Sequence, residues 1–233
     1  MFTEQPVNPS LLRLGGIAGI VAVIFLPGVA LQMSAGWFPE LNLEADTMND
    51  WLSAVSTHST MALLGVSFSI IAILSFLPLG LILHRLLPKD SWHNTAGFAS
   101  YLLGTGLALS AFTFGFGFTW AMIDSYNAAA DKASESLVNV ATLGMRGFLV
   151  ADDLATSLMG LGQLLFSLAA LRSNALPKWL CWWGVIGGLL VILVLLRYTL
   201  PVFNFAQIGY PVITLWFALT GINLLLKARQ QKV

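Results

Sequence analysis

Charged residues are scarce in this chain. Only 9% of its 233 residues are Asp, Glu, Lys or Arg, whereas 57% are hydrophobic. Soluble domains average about 25% charged residues, so this composition and the mean hydropathy of +0.81 exclude a mainly soluble protein and indicate an integral membrane protein. The 11 basic residues balance the 11 acidic ones, so the sequence carries no basic excess of the kind that binds nucleic acid.

Cysteine and histidine are also nearly absent. The single cysteine, Cys181, excludes an internal disulfide and every metal or haem motif that needs paired cysteines. The three histidines lack the H-x-x-x-H and H-E-x-x-H spacings of metal sites, and no serine stands in a G-x-S-x-G sequence. We therefore expect no cofactor, and an intramembrane enzyme acting on lipid is the least favoured class of function.

Long apolar runs fill most of the sequence. Each run meets or approaches the roughly 20 apolar residues that cross a hydrocarbon core. They predict an all-α bundle of six transmembrane helices, forming a single domain over residues 1–233. The expected helices lie at about 11–33, 58–83, 95–123, 147–171, 179–197 and 211–227.

Two longer connections, at 34–56 and 124–145, are expected to be partly helical. In the first, Asp46 or Thr47 can cap a short surface helix. Its apolar side chains are expected to face the bilayer, as in an interfacial amphipathic helix: Trp51, Leu52 and Val55. The second connection is rich in alanine and is expected to be helical at the surface.

Lys and Arg are distributed unequally between the two ends of the predicted helices. One end carries Arg13, Arg85, Lys89, Arg172, Lys178, Lys227, Arg229 and Lys232. The other end carries Lys132, Arg146 and Arg197. Because cytoplasmic loops are enriched in basic residues, this distribution predicts that both termini are cytoplasmic.

The fourth apolar run differs from the others because it contains two adjacent acids, Asp152 and Asp153. Helical spacing from Asp152 continues through a stripe of polar or small residues: Thr156, Gly160, Gln163 and Ser167. Ionisable groups at membrane depth are costly, so they mark either a functional site or a pairing between helices. Further charged or titratable groups are predicted toward the same outer end: Arg146, Arg197, His58 and Asp124.

Two interpretations of these groups stay open. In the first, Arg197 forms a structural bridge to Asp152 or Asp153 and locks the fifth helix against the fourth. In the second, an outward-opening pocket is lined by Asp152, Asp153, Thr156, Gln163, Arg197 and His58. Because two close carboxylates resist joint ionisation, such a pocket would suit a proton-linked transporter. A metal site built from His58, Asp124 and one of the aspartates is chemically conceivable, but no spacing selects it.

Three classes of function follow. The favoured class is a protein that binds or transports a small molecule or lipid through the outward-facing pocket. The second is an accessory subunit whose acidic outer loops meet another membrane protein. The third is the lipid-acting enzyme.

Two stretches of the sequence resemble a known group of proteins. These are L-R-S-N-A-L-P-K-W-L-C-W-W-G-V-I-G-G-L-L at Leu171–Leu190 and L-R-L-G-G-I-A-G-I at Leu12–Ile20. Both are similar to elements of uncharacterised bacterial six-helix membrane proteins, catalogued only as domains of unknown function. Cys181 stands where that group often has glycine. The resemblance implies a bacterial inner (plasma) membrane protein and supplies no site residues.

Overall fold

A computed structural model describes residues 8–38, 45–129 and 134–231. Helices form nearly all of these ranges, which contain no strand. The predicted all-α fold is confirmed. Lys132 and Lys232, which entered the count of basic residues, lie outside the described ranges.

Six helical runs are long and apolar enough to cross a membrane, and we number them as spans in chain order. The first to third spans are Pro9–Ser34, Ser59–Leu86 and Trp92–Ala128, and the fourth to sixth are Glu135–Ser173, Lys178–Tyr198 and Val202–Gln230. The first span consists of Pro9–Val21, the 3-10 turn Ala22–Ile24, and Phe25–Ser34. The fifth ends in the 3-10 segment Val194–Tyr198, and the 3-10 segment Pro201–Ile208 leads into the helix Gly209–Gln230 of the sixth.

A seventh, short helix, Ala45–Thr57, lies between the first two spans. We refer to it as the cap helix, and to the end of the bundle that it covers as the cap end. The opposite end, where short turns join the second span to the third and the fourth to the fifth, is the turn end.

The cap helix faces the bundle, which corrects the expected orientation. Its apolar side chains are buried in protein and do not face the bilayer: Met48, Trp51, Leu52 and Val55. The indole N–H of Trp51 donates to the carbonyl oxygen of Trp37 at 2.7 Å. A lipid tail offers no such acceptor, so the inward orientation satisfies a polar group that the outward one would leave unpaired.

The fourth span is longer than the sequence predicted. It begins at Glu135, whereas the apolar run predicts a start near residue 147. Val138, Ala141 and Met145 recur at helical spacing in the added segment and are buried, so packing against the bundle extends the helix. As a result, Asp152 lies 17 residues from the start of its helix and near its middle.

A proline interrupts the first span. Pro27 has no N–H to donate to the carbonyl of Val23, four residues earlier, and its ring crowds that carbonyl. The 3-10 turn Ala22–Ile24 occupies this position. The first span is therefore divided into two helical halves.

Both halves contact the second span, but only the turn-end half packs closely against the sixth. Toward the turn end, a Cβ on Gly19 would lie 2.6 Å from the Phe217 carbonyl oxygen, so the first span is in close backbone contact with the sixth. Toward the cap end, a Cβ on Gly65 of the second span would lie 2.7 Å from the Gly28 carbonyl oxygen. Gln32 also donates a hydrogen bond to Ser69 at 2.8 Å. The cap-end half thus follows the second span and leaves space beside the sixth.

The contact at Gly19 gives a test of this packing. An alanine Cβ there would lie 2.7 Å from the Gly221 Cα as well as against Phe217, so the two spans must separate. We expect Gly19→Ala to lower the free energy of unfolding by roughly 1–3 kcal/mol, measured by titrating the purified protein with SDS. Gly117→Ala is the matched control, because a Cβ at that position meets nothing within 4 Å. Equal destabilisation by both changes would contradict this packing.

Candidate functional site

Asp153 forms an ionic cluster that joins three spans. Arg197 of the fifth span donates to Asp153 Oδ2 from Nε at 2.8 Å and from Nη2 at 2.7 Å. Tyr210 of the sixth span donates its hydroxyl proton to Asp153 Oδ1 at 2.5 Å. Both carboxylate oxygens are therefore occupied, and the side chain of Asp153 is only 1% exposed. Of the two bridges left open by the sequence, the structure shows Arg197–Asp153.

The end of the fifth span positions Arg197. In the 3-10 segment Val194–Tyr198, successive residues turn by about 120° instead of about 100°. Val194 and Arg197 are the residues of this segment that point inward and are buried. The Arg197 guanidinium carbon also lies 5.4 Å from the centre of the Tyr198 ring, a favourable cation–π distance.

Asp152 points in a different direction from Asp153, since adjacent helical residues are about 100° apart. It forms no salt bridge with any residue in the described ranges. Its carboxyl interacts with the side chain of Thr156, one turn along the same helix. Asp152 is 9% exposed, and this remaining surface faces two cavities.

The larger cavity, of about 440 Å³, occupies the space between the first and sixth spans at the cap end. Its walls are mostly apolar. They come from the first, third, fourth and sixth spans and from Phe38, which follows the first span: Phe25, Leu26, Val29, Met33, Phe38, Phe112, Leu149 and Pro211. Four polar residues complete the lining: Asp152, Arg197, Gln207 and Tyr210. Met33, Gln207 and Pro211 are exposed, so the cavity opens between the first and sixth spans. We refer to it as the cap-end cavity.

A second, smaller cavity of about 30 Å³ adjoins Asp152. Its polar lining consists of Asp152, Thr156, Tyr210 and Thr214. The volume and these polar groups suit about one water molecule. Because Asp152 and Tyr210 line both cavities, they stand at the boundary between a ligand-sized space and a water-sized one.

The structure brings together some of the predicted site residues. Asp152, Asp153, Thr156 and Arg197 lie in or beside the two cavities. Gln163 is buried elsewhere and donates a hydrogen bond to the carbonyl of Gly184 at 3.2 Å, and it lines neither cavity.

Three other predicted residues lie apart from this site: His58, Asp124 and Arg146. Their side chains are exposed and line neither cavity. Within the described part of the chain, none of them forms a side-chain hydrogen bond or a salt bridge. Arg146 lies on the same helix as Asp152 but six residues earlier, which places it about 9 Å from Asp152 along the helix axis.

Sequence reasoning missed Tyr210 as a site residue. A tyrosine beside Pro211, at the start of a predicted span, is typical of the membrane interface and so does not point to a buried site. The apolar wall residues Val29 and Met33 carried no signal at all. They line a cavity because the first span divides at Ala22–Ile24, and that consequence depends on the packing of its two halves.

A family model described as a domain of unknown function, DUF4386, matches residues 11–227. The chain belongs to the DUF4386 family. The match covers all or nearly all of each span, and it confirms the resemblance to six-helix membrane proteins of unknown function. This DUF4386 protein is a multi-pass membrane protein. Neither the curated proteins nor the solved structures contain a match to it.

The ionic cluster of the DUF4386 protein can be tested through stability. Arg197→Met leaves the buried Asp153 carboxylate without its cation, which we expect to lower the free energy of unfolding by roughly 3–5 kcal/mol. Adding Asp153→Leu removes the orphaned charge, so the double variant should recover much of this loss in the same SDS titration. Arg146→Met is the matched control because Arg146 is exposed on the fourth span. A double variant as unstable as the single one would contradict a direct pairing.

Proposed function

We propose that this DUF4386 protein binds a small, partly apolar ligand in the cap-end cavity, as the binding step of transport. The observation that carries the proposal is the cavity itself, with about 440 Å³ of space and a carboxylate at its inner wall. Ligand sites in proteins are typically about 300–1,000 Å³ and combine apolar walls with a few convergent polar groups. The cap-end cavity has this size and this combination.

Asp152 favours a ligand-binding role for the site over a role limited to joining the helices. Arg197 and Tyr210 occupy both oxygens of Asp153, so one aspartate accounts for the whole ionic cluster. Within the described ranges Asp152 forms no salt bridge, and burying a carboxylate without a directly paired cation is costly. The buried Asp152 carboxylate lowers the stability of the fold and faces a ligand-sized cavity, and this combination supports a binding role. A carboxylate in this position can be neutralised either by a ligand cation or by a proton, which is what a proton-linked transporter requires.

The rim of the cavity is compatible with a ligand that enters either through the bilayer or from the cap end. The exposed rim residues Met33 and Pro211 are apolar and Gln207 is polar. The rim therefore offers both lipid-compatible and water-compatible surface. A molecule with an apolar part and a polar group matches both the rim and the interior.

Filling the cavity gives a direct test. Val29 lies in the wall formed by the first span, so Val29→Trp should occupy the space and abolish binding. The probe is octanol, an eight-carbon alcohol, and one bound equivalent per protein is counted by native mass spectrometry from maltoside micelles. Leu103→Trp is the matched control, because Leu103 is 66% exposed on the third span and lies outside the cavity lining. Equal binding by wild type and Val29→Trp would overturn the proposal. So would a wild type that binds neither octanol nor the amine and acid of the same chain length.

We further propose that the protein lies in a bacterial plasma membrane with both termini cytoplasmic, so that the cap-end cavity faces outward. The distribution of basic residues supports this orientation. Seven described Lys and Arg residues lie toward the turn end: Arg13, Arg85, Lys89, Arg172, Lys178, Lys227 and Arg229. Toward the cap end, the described basic residues are Arg146 and Arg197, and Arg197 is paired with Asp153.

Cysteine labelling tests the orientation. The sole native cysteine, Cys181, is fully buried, and Cys181→Ala gives a background without thiols. Ser53→Cys on the cap helix and Asp90→Cys at the turn end each place one thiol at an exposed position. In intact cells, a membrane-impermeant maleimide should label Ser53→Cys and spare Asp90→Cys, whereas both should react after lysis. The reverse pattern would place the cavity on the cytoplasmic side.

A further inference from the structure

The charges at the inner wall of the cap-end cavity do not balance. Asp152 and Arg197 line the wall, and Asp153 lies behind it in contact with Arg197, so two carboxylates accompany one guanidinium. The titratable neighbours Tyr198 and Tyr210 are neutral phenols, and the first and third spans contribute Phe25 and Phe112. Arg197 is committed to Asp153 by two short contacts. When both aspartates are ionised, one negative charge therefore faces the cavity from Asp152.

From this imbalance we infer that the cap-end cavity takes an amphipathic cation, a molecule with a protonated amine on an apolar chain, whose nitrogen pairs with Asp152. The inference rests on the proposed ligand-binding function and names the class of ligand. An anionic ligand would be repelled by Asp152, and it would find no unpaired cation in the cavity lining because Arg197 is already paired with Asp153. A neutral ligand would supply no cation, so the carboxylate would stay uncompensated unless it took up a proton. A cation removes the imbalance.

The aromatic residues around Asp152 support a positive charge independently of the carboxylate. Phe25, Phe112 and Tyr210 line both cavities beside Asp152. The Phe25 and Phe112 rings lie 6.1 Å apart in an edge-to-face arrangement. The faces of aromatic rings attract cations, and this attraction strengthens when the site excludes water. The same position therefore combines a carboxylate and aromatic rings, which together are suited to a protonated amine.

The apolar walls of the cavity indicate the chemistry of the rest of the ligand. Leu26, Val29, Met33 and Leu149 extend the cavity away from Asp152 as an apolar surface. An alkyl or aryl chain attached to the amine can lie along them and bury its surface, at about 0.8 kcal/mol for each CH₂ group. A bare inorganic cation would leave these walls empty. The shared chemistry is an amine with an apolar tail, supplied either by a free small molecule or by a membrane lipid with an amine headgroup.

A matched set of probes tests the inference. Octylamine, octanol and octanoate share a chain of eight carbons and are cationic, neutral and anionic at neutral pH. Binding is measured by native mass spectrometry in maltoside micelles, which contain neither charge nor amine. We expect wild type to bind octylamine at least about tenfold more tightly than octanol, and octanoate more weakly than either.

Variants of Asp152 connect this preference to one side chain. Asp152→Asn should abolish the preference for octylamine and retain octanol binding, whereas Asp152→Glu should keep the preference and so show that the site still folds. Asp124→Asn is the charge-matched control, because it removes an exposed carboxylate outside the cavity. A preference that survives Asp152→Asn, or equal binding of octylamine and octanol by wild type, would overturn the inference.

The outcomes for the two proposals are distinguishable. If Val29→Trp abolishes octanol binding but wild type shows no preference for octylamine, the proposed binding function stands and the cationic ligand is rejected. No binding of any of the three probes would reject both. Adding phosphatidylethanolamine to the micelles separates the two sources of the amine. If it displaces octylamine the amine is a lipid headgroup, and if it does not the amine is a free small molecule, with Asp152 as its partner in both cases.

Discussion

The salt bridge between Arg197 and Asp153 is the interaction on which the site depends. It joins the fifth span to the fourth, and the hydrogen bond from Tyr210 adds the sixth span to the same carboxylate. An unpaired charge at this depth would cost several kcal/mol, so these three spans are held together at one point. Because Arg197 is paired with Asp153, it forms no salt bridge with Asp152, which lines the cap-end cavity. The two adjacent aspartates thus differ: Asp153 joins the spans, and Asp152 carries the proposed ligand-binding role.

The space beside Asp152 arises from the way the first span packs. Its N-terminal half is in backbone contact with the sixth span at Gly19, and its C-terminal half is in backbone contact with the second span at Gly28. Between them lies the 3-10 turn that Pro27 imposes. Both halves contact the second span, but the C-terminal half has little contact with the sixth, and the cap-end cavity is what remains between the first and sixth spans.

Membership of the DUF4386 family establishes the kind of molecule and assigns it no activity. The local chemistry of the cavity is therefore the basis of the proposed function. A volume in the range of small ligands, apolar walls, and one carboxylate without a cation form a consistent set of features. The adjoining water-sized cavity places Thr156 and Thr214 beyond the same carboxylate. Asp152 thus lies where a ligand and a water molecule can both reach it.

The sequence by itself determined the six spans, the membrane class and the two aspartates that mark the site. These are local properties, since hydropathy and the cost of a buried charge depend on the residues of one segment. Only the tertiary structure decided that Arg197 pairs with Asp153 and not with Asp152, across 44 residues of sequence. It also decided the inward face of the cap helix, the distance of His58 and Asp124 from the cavity, and the cavity itself. Each of these depends on distances between segments that are remote in the chain, and side-chain patterns within one helix do not encode such distances.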